Sequence, residues 1–376
     1  MSIGFKLRQI KANLIYRLRL ASYWYEYFLW LLFGKKEIPP KKIKNVLVMS
    51  YGALGDNFVV IRVVNSLVES NKDVNFFVLM NNNGKRDMKW IEKFSKIKII
   101  EDKEFESKKF DVTLLFNVED KYLNRKNLGY VVGNEYHSIK SSIKGHRFLF
   151  LNNKISPRNK HKVEQEINIS KIGCLKFNGL KKIKLNRDYK IEEYFKNKGI
   201  KKYVVLHPSG RNFSNILRQG KTPRLAWPLE RFSKISDYLI EKENLDIVIT
   251  GSKDEEKIGK KIIEMSKNKK RIHNFAGRFN IKGLTYIVQN SKLVLSIDTS
   301  VVHVAELTET PVIALFGPTF IEEVGAYGSR NQINLGHPEK CIRDRKKDIC
   351  NLKENRCMDS ISVNEVIEAI NKIKSI

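Results

Sequence analysis

Cysteine and acidic residues are both scarce in this sequence, and each shortage narrows the class of protein. Only four of the 376 residues are cysteine, and no stretch resembles a secretory signal peptide with a small-residue cleavage site. We therefore expect reduced thiols and a cytoplasmic location rather than a disulfide-bonded scaffold. Lysine and arginine number 70 against 41 aspartates and glutamates, which gives a formal net charge of +29. Such an excess indicates an anionic partner: a nucleic acid, a membrane surface or a phosphorylated substrate.

Long apolar runs, internal repeats and nucleic-acid motifs are also missing. The aromatic stretch at residues 23–33 contains Glu26 and is shorter than the about 20 residues that span a bilayer. No repeat of solenoid length occurs. Because the positive charge is spread along the chain without a recognised nucleic-acid motif, we do not expect nucleic acid as a partner. Hydrophobic residues make up 42% of the chain, which favours a globular core, and the length suits two domains.

The first 43 residues differ from the rest of the chain. Lysines and arginines alternate with apolar residues up to residue 19, and an aromatic stretch with a following Gly-Lys-Lys sequence comes next. Basic flanks with Trp and Tyr are typical of a helix that lies in the plane of a membrane interface. We interpret residues 1–43 as an amphipathic helical arm, peripheral on the anionic inner face of the cytoplasmic membrane. The alternative is a helical hairpin that packs on the protein's own core.

Residues 44–190 are interpreted as a first α/β domain. A strand-like run at residues 43–49 leads into a loop with Gly52 and Gly55, and apolar residues then recur at helical spacing. Asp56 stands where a helix N-cap is expected. It is either a plain cap or a carboxylate at the mouth of an interdomain cleft, able to accept a proton from a hydroxyl. Further predicted strands lie at residues 74–80, 97–100, 111–116 and 129–132, the pattern of a doubly wound sheet. Residues 162–172 are predicted to form a helix near the end of this domain.

Residues 191–360 are interpreted as a second domain of the same class. The predicted strands there are residues 203–207, 246–251, 294–297 and 311–316. Trp227 is expected in the core rather than as a platform for a base. A final helix at residues 361–376 could pack on either domain. Two parallel domains in tandem predict a cleft between the carboxyl edges of their sheets.

The turn at Asp298 is the strongest candidate for phosphate binding. A short apolar run ends there, and a helix that starts at Thr299 and Ser300 would present free backbone N–H groups and a positive dipole end to an anion. A second apolar run closes at Gly317 and Pro318. Two strand ends with two loops on one sheet edge predict a cradle for a nucleotide phosphate.

Three sequence blocks in this order resemble glycosyltransferase family 9, the bacterial heptosyltransferases of lipopolysaccharide core assembly. They are residues 52–56, 207–256 and 298–319, and order and spacing match from about residue 44 to the C-terminus. The resemblance implies a GT-B fold: two facing Rossmann-like domains, with the acceptor on the first and the nucleotide sugar on the second. The C-terminal helix is expected to cross back onto the first domain. The implied activity is inverting, metal-independent sugar transfer without a cofactor. The donor would usually be ADP-heptose, and the acceptor a lipopolysaccharide core or related lipid-linked saccharide.

Position by position, the resemblance makes Asp56 the catalytic base, with Gly52 and Gly55 in its loop. The donor-binding positions that it implies are Ser209, Gly210, Arg224, Glu255, Asp298, Thr299, Ser300, His303, Gly317, Pro318 and Thr319. Ser300 replaces the usual glycine, and Leu225 stands where the family commonly has a cation. Arg224, Lys221 and Arg218 therefore remain alternatives for the pyrophosphate contact. His303 either holds the loop by hydrogen bonds or contacts phosphate directly.

The three late cysteines, Cys341, Cys350 and Cys357, are interpreted as packed thiols or a conditional disulfide rather than a metal site. Zinc would need a fourth ligand such as His337. Two other activities stay open. One is a transferase of the same fold with another nucleotide sugar or a protein acceptor. The other is a membrane-peripheral, non-catalytic saccharide-binding protein.

Overall fold

The computed structural model describes residues 40–117, 127–134, 153–155, 161–328, 331–337 and 356–374. These residues form two six-stranded sheets, and every strand pairing in both sheets is parallel. The α/β class with two parallel sheets is therefore confirmed. The predicted N-terminal arm, up to residue 39, lies outside the described residues, as do Cys341 and Cys350.

The first sheet has the strand order β3-β2-β1-β4-β5-β6. Its strands are β1 (Asn45–Ser50), β2 (Asn75–Met80), β3 (Ile97–Ile100), β4 (Val112–Asn117), β5 (Tyr130–Asn134) and β6 (Asn153–Ile155). The apolar side chains of β1 are buried on both faces, because helices cover both faces of a parallel sheet. The helices are α1 (Leu54–Ser70), α2 (Asn82–Met88), α3 (Asp102–Ser107) and α4 (Lys162–Ile172), with a 3-10 helix at Lys89–Lys93.

The second sheet has the order β12-β11-β10-β7-β8-β9. Its strands are β7 (Tyr203–His207), β8 (Asp246–Ile249), β9 (Ile272–Asn274), β10 (Leu293–Ile297), β11 (Val312–Phe316) and β12 (Gln332–Gly336). The helices are α5 (Tyr189–Asn197), α6 (Phe213–Arg218), α7 (Leu229–Glu243), α8 (Glu256–Met265), α9 (Ile281–Gln289), α10 (Ser300–Thr308), α11 (Ile321–Val324), α12 (Arg356–Asp359) and α13 (Val363–Lys374). Single turns of 3-10 helix occur at Lys253–Glu255 and Lys269–Arg271.

Both sheets reverse their strand order at one point, between β1 and β4 in the first and between β7 and β10 in the second. In open parallel sheets a crevice forms beyond the carboxyl ends of the strands at such a switch point. The loops after β1, β7 and β10 are therefore positioned by topology to meet a ligand.

The two halves meet where α1 packs against α10. Arg62 of α1 and Glu306 of α10 form a buried ion pair at 3.3 Å. The guanidinium also donates to the carbonyl oxygen of Tyr327 at 2.6 Å, and the backbone N–H of Tyr327 donates to the Glu306 carboxylate at 2.6 Å. On the same face, His161 at the start of α4 stacks on the Tyr327 ring. A charge pair closed to water in this way is stable only when both partners are present and correctly placed.

The final helix does not follow the expectation that it crosses to the first domain. Helix α13 packs against α7, β11 and β12. Val366, Ala369 and Ile370 are buried in the apolar cluster of the second half, which covers the apolar face of the helix. Trp227 belongs to the same cluster, and its indole N–H donates to the carbonyl oxygen of Ile361 at 2.9 Å. Its predicted role as a core residue is confirmed.

Within the described part of the chain, no helix has both the length and the apolar character that a membrane crossing requires.

Candidate functional site

A cavity of about 500 Å³ lies between the two halves, at the switch point of the second sheet. Its wall is built from the loop after β1 and from the loops after β7, β8 and β10. Seven of the residues predicted from the sequence line it: Gly55, Gly210, Arg224, Glu255, Asp298, Thr299 and Ser300. Residues that are far apart in the chain are thus brought to one site.

Asp56 lies at the third position of α1, not at the N-cap that the sequence suggested, since the helix begins at Leu54 after the N-cap Ala53. Its carboxylate accepts the Ala53 backbone N–H at 2.8 Å. A Cβ atom on Gly52 would approach Asp56 Oδ2 to 2.6 Å, so the glycine makes room for the carboxylate. The Asp56 carboxylate is thus held at the cleft by the N–H of the N-cap residue, and it does not itself occupy the N-cap position. The sequence pattern does not distinguish these two arrangements.

Lys162, the first residue of α4, forms an ion pair with Asp56 Oδ1. Burial alone would raise the pKa of Asp56. The charge and hydrogen bond of Lys162, helped by the Ala53 N–H and the nearby His303, outweigh that effect and lower the pKa below its usual value. Asp56 is therefore ionised at neutral pH and able to accept a proton.

Glu166 follows Lys162 by one helical turn, and its protonation state is opposite to that of Asp56. Its side chain is buried, and neither carboxyl oxygen has a hydrogen-bond partner among the described residues. Burial raises its pKa to about 8, the Lys162 charge opposes the rise, and the Asp56 charge adds to it. At neutral pH Glu166 is therefore protonated, and Lys162 has one ionised carboxylate beside it rather than two.

The donor-side turn has the predicted form. Thr299 is the N-cap of α10, and Thr299, Ser300 and Val301 line the cavity. The N–H groups of the first turn of a helix have no partner within the helix, so a ligand in the cavity could accept their hydrogen bonds. Burial raises the pKa of Asp298, an effect partly offset by a hydrogen bond with Thr319 and by the charges of His303 and Arg224. Thr319 thus supports Asp298 and does not itself line the cavity.

His303 is held by the interface between the halves. Its Nδ1 lies 2.5 Å from Glu306 Oε2, the same carboxylate that pairs with Arg62. A Cβ atom on Gly55 would lie 3.1 Å from His303 Cδ2 and 3.5 Å from Ser300 Cα. This geometry supports the interpretation of His303 as a residue that fixes the loop, and a direct phosphate contact stays a prediction.

Arg224 is the cation at the cavity among the three that the sequence left open. It lines the cavity, and its Nε is buried without a hydrogen-bond partner among the described residues. Arg218 and Lys221 are exposed and do not line the cavity. Arg211, which the sequence prediction did not select, also lines it. A buried guanidinium N–H without an acceptor is an anomaly that an anionic ligand would remove.

The other end of the cavity is formed by the loops after β8 and β9. The Glu255 carboxylate accepts a hydrogen bond from the backbone N–H of Ser252 at 2.6 Å and so caps the short helix there. Gly277 lines the same cavity. Apolar side chains from α1, α6 and α9 and from two loops cover the remaining wall: Leu54, Phe213, Leu225, Phe279, Ile281 and Leu284. This half-apolar end suits a flat ring system better than a charged group.

Five predicted donor-binding residues do not line the cavity: Ser209, His303, Gly317, Pro318 and Thr319. Asp56 and Gly52 do not line it either, although Ala53, Leu54 and Gly55 beside them do. Ser209 is buried in the loop after β7. Gly317 and Pro318 are buried as well. A Cβ atom on Gly317 would lie 2.9 Å from the sulfur of Met358, so this glycine allows α12 to pack on the end of β11. Their expected place in the donor wall is thus not observed.

The residues that the sequence prediction missed carry much of the electrostatics. They are Arg62, Lys162, Glu166, Arg211 and Glu306. Lys162 and Glu166 appeared only as polar positions of a predicted helix. The sequence offers two signals for a role of these residues: they are four positions apart, and they lie at the end of the first half. Neither signal indicates that Lys162 contacts Asp56, which is 106 positions earlier in the chain.

Of the three late cysteines and His337, the described part of the chain includes Cys357 and His337. His337 contacts the Glu365 carboxylate at 2.9 Å, and Cys357 is buried beside Gly317. Across the described ranges, no group of three or more His, Cys, Asp or Glu side chains is placed to hold a metal ion.

Comparison with known proteins agrees with this geometry. A family model described as "Glycosyltransferase family 9 (heptosyltransferase)" matches residues 130–354. A lipooligosaccharide heptosyltransferase 2 of Campylobacter jejuni is 25% identical over 228 residues, which cover 58% of this chain and 67% of that protein.

Solved structures share the fold. A glycosyltransferase family 9 protein of Veillonella parvula superposes with a TM-score of 0.65 at 15% identity, over 88% of this chain and 97% of its own. An ADP-heptose lipopolysaccharide heptosyltransferase II of Escherichia coli gives 0.64 at 14% identity, over 88% and 98%. The predicted GT-B fold is therefore confirmed.

The ion pair between Lys162 and Asp56 makes a testable prediction. In Lys162→Met the cation is lost while burial remains, so the pKa of Asp56 should rise above its usual value instead of lying below it. Carboxyl ¹³C NMR titration would follow the group, with Asp56→Asn to assign its signal. Lys171→Met, an exposed change on the same helix, should leave the Asp56 titration unaltered. An Asp56 pKa that stays low in Lys162→Met would show that the ion pair does not control it.

Proposed function

Because the chain belongs to glycosyltransferase family 9 and is a glycosyltransferase, we propose that it moves heptose from ADP-heptose onto a lipopolysaccharide core or a related lipid-linked saccharide. The transfer inverts the anomeric centre and needs neither a metal ion nor a cofactor. The proposal rests chiefly on one observation: the first turn of α1, which carries Asp56, packs so closely on the start of α10 that a Cβ atom on Gly55 would lie 3.5 Å from Ser300 Cα. Gly55, the neighbour of the proposed base, and Thr299 and Ser300 of the proposed phosphate cradle thus line the same cavity.

In the proposed reaction, the acceptor hydroxyl lies at Asp56 and the donor lies along the cavity. Asp56 takes the hydroxyl proton while the hydroxyl oxygen attacks the anomeric carbon, and the bond from that carbon to the diphosphate breaks. The electron pair leaves with the nucleoside diphosphate. Support for this role comes from the lowered pKa of Asp56, which keeps it ionised.

The leaving diphosphate needs positive groups that are in place before the reaction. The free N–H groups at Thr299 and Ser300 and the guanidinium of Arg224 supply them. Such groups cost little reorganisation when charge develops in a site partly closed to water.

The transfer itself is tested by nucleotide release from ADP-, UDP-, GDP- and CMP-sugars, with extracted core lipid as acceptor. We expect turnover with one donor, ADP-heptose, and a loss of about a hundredfold or more in Asp56→Asn, because general-base catalysis is removed. Asp73→Asn, an exposed change in the turn that follows α1, is the matched control. Turnover that is equal in wild type and Asp56→Asn would remove Asp56 as the base. No turnover with any donor would favour a saccharide-binding protein.

The choice of cation is tested separately. Arg224→Met should weaken binding of ADP by about tenfold or more, because a charge-assisted hydrogen bond to the diphosphate is lost. Arg218→Met and Lys221→Met, which are exposed, should each change the affinity much less. Calorimetric titration of the three variants measures this. A larger loss in either exposed variant would assign the contact to that residue instead.

We further propose that the protein acts at the cytoplasmic face of an anionic membrane, where a lipid-linked acceptor would be found. The net charge of +29 and the aromatic and basic composition of residues 1–36 support this.

Deletion of residues 1–36 should strongly reduce co-sedimentation with vesicles that contain phosphatidylglycerol, since the interfacial segment would be gone. Neutral vesicles should retain little of either protein. Unchanged binding of the shortened protein to the anionic vesicles would contradict the membrane role of this segment.

A further inference from the structure

His207 lies in the donor cavity, and neither the mechanism nor the sequence prediction uses it. It is the last residue of β7, its side chain is buried, and it lines the cavity. Its Nδ1 lies 2.9 Å from the hydroxyl oxygen of Thr250, the residue that follows β8. The imidazole is therefore anchored on one side and faces the cavity from the sheet edge.

The hydrogen bonds of Thr250 determine which nitrogen of His207 carries the proton. The Thr250 hydroxyl donates to the carbonyl oxygen of Leu206 at 3.3 Å. A hydroxyl has a single hydrogen, so both contacts are satisfied only if Thr250 accepts a hydrogen bond from His207 Nδ1–H. In the neutral ring Nε2 is then an acceptor, and it has no hydrogen-bond partner among the described residues.

The ring is also neutral at physiological pH. Burial lowers the pKa of His207 to about 4, because no carboxylate compensates for the loss of water. A neutral imidazole with an acceptor nitrogen is a poor partner for phosphate. It suits an O–H or N–H group of a ligand.

The order of strands indicates which part of the donor lies above His207. Strand β7 lies between β10 and β8 in the sheet. Beyond β10 is the start of α10, the proposed diphosphate cradle, and beyond β8 is the half-apolar end with Glu255. In a nucleotide, the group between diphosphate and base is the ribose. Its hydroxyls are hydrogen-bond donors.

We propose that His207 Nε2 accepts a hydrogen bond from a ribose hydroxyl of the donor nucleotide, so that His207 selects ribonucleotides over deoxyribonucleotides. This rests on the proposed function, since it takes the ligand of the cavity to be a nucleotide sugar. Thr250 is the positioning residue that fixes the tautomer. A site with a buried acceptor discriminates against a ligand without the matching donor, because the acceptor is then left unpaired.

The test is calorimetric titration of ADP, 2′-deoxy-ADP and 3′-deoxy-ADP into wild type and into two variants. Wild type should bind one of the deoxy analogues about tenfold more weakly than ADP. His207→Asn keeps a group that can bond Thr250 and removes the acceptor in the cavity, so the ratio should fall close to one. His207→Gln retains an acceptor near the Nε2 position and should retain most of the preference.

The outcomes separate this inference from the proposed function. If wild type binds ADP and both deoxy analogues equally, or if His207→Asn keeps the full preference, the role of His207 is overturned while nucleotide binding stands. Should UDP, GDP or CDP bind in place of ADP, the deoxy analogues of that nucleotide give the same test. If no nucleoside diphosphate binds wild type at millimolar concentration, the proposed function fails and the inference fails with it. Should both variants fail to fold, a wild-type ratio close to one would still overturn the role of His207.

Discussion

The contact between α1 and α10 is the constraint on which the rest of the site depends. Each helix starts at the cleft and runs away from it into its own half, and Arg62 and Glu306 pair between them without access to water. Breaking such a pair leaves a buried charge, which costs several times more than an exposed pair contributes. The pair therefore fixes one arrangement of the two halves. In that arrangement the start of α10 leaves little room for a side chain at Gly55, and His303 is bonded to Glu306.

Three carboxyl groups around the site show how local surroundings set different protonation states. Asp56 and Glu166 are both near Lys162, but only Asp56 is paired with it, and their pKa values shift in opposite directions. Asp298 is buried with one hydrogen bond from Thr319, and its pKa is raised. Because Lys162 pairs with Asp56 and not with Glu166, Asp56 is ionised at the cleft and Glu166 is a neutral acid behind it.

The sequence predicts much of this architecture because strands, glycine loops and helix starts are local patterns. Strand β1, the glycine loop and α1 follow from the apolar run, from Gly52 and Gly55, and from helical spacing. The turn at Asp298 follows equally from an apolar run that ends in polar residues. Helix α4 was predicted with its observed bounds. These elements need only residues that are neighbours in the chain.

What the sequence does not predict are the contacts between distant segments. Arg62 reads as a polar position on an amphipathic helix, yet it is buried against a glutamate 244 residues later. Gly317 was interpreted as part of a ligand loop, yet it makes room for the side chain of Met358. Helix α13 has an apolar face that either half could have covered. Such choices depend on tertiary packing, about which composition and spacing carry no information.

Arg62 and Glu306 are 244 residues apart in the sequence, and this matters while the chain is still being synthesised on the ribosome. Domains fold as units during synthesis, at about 5 to 20 residues per second, so about 12 to 50 seconds pass between the emergence of the two residues. During that interval the nascent first half carries Arg62 of α1 without its acidic partner. Chaperones or the ribosome surface then meet a half-protein whose interface is complete only after most of the second half has been synthesised.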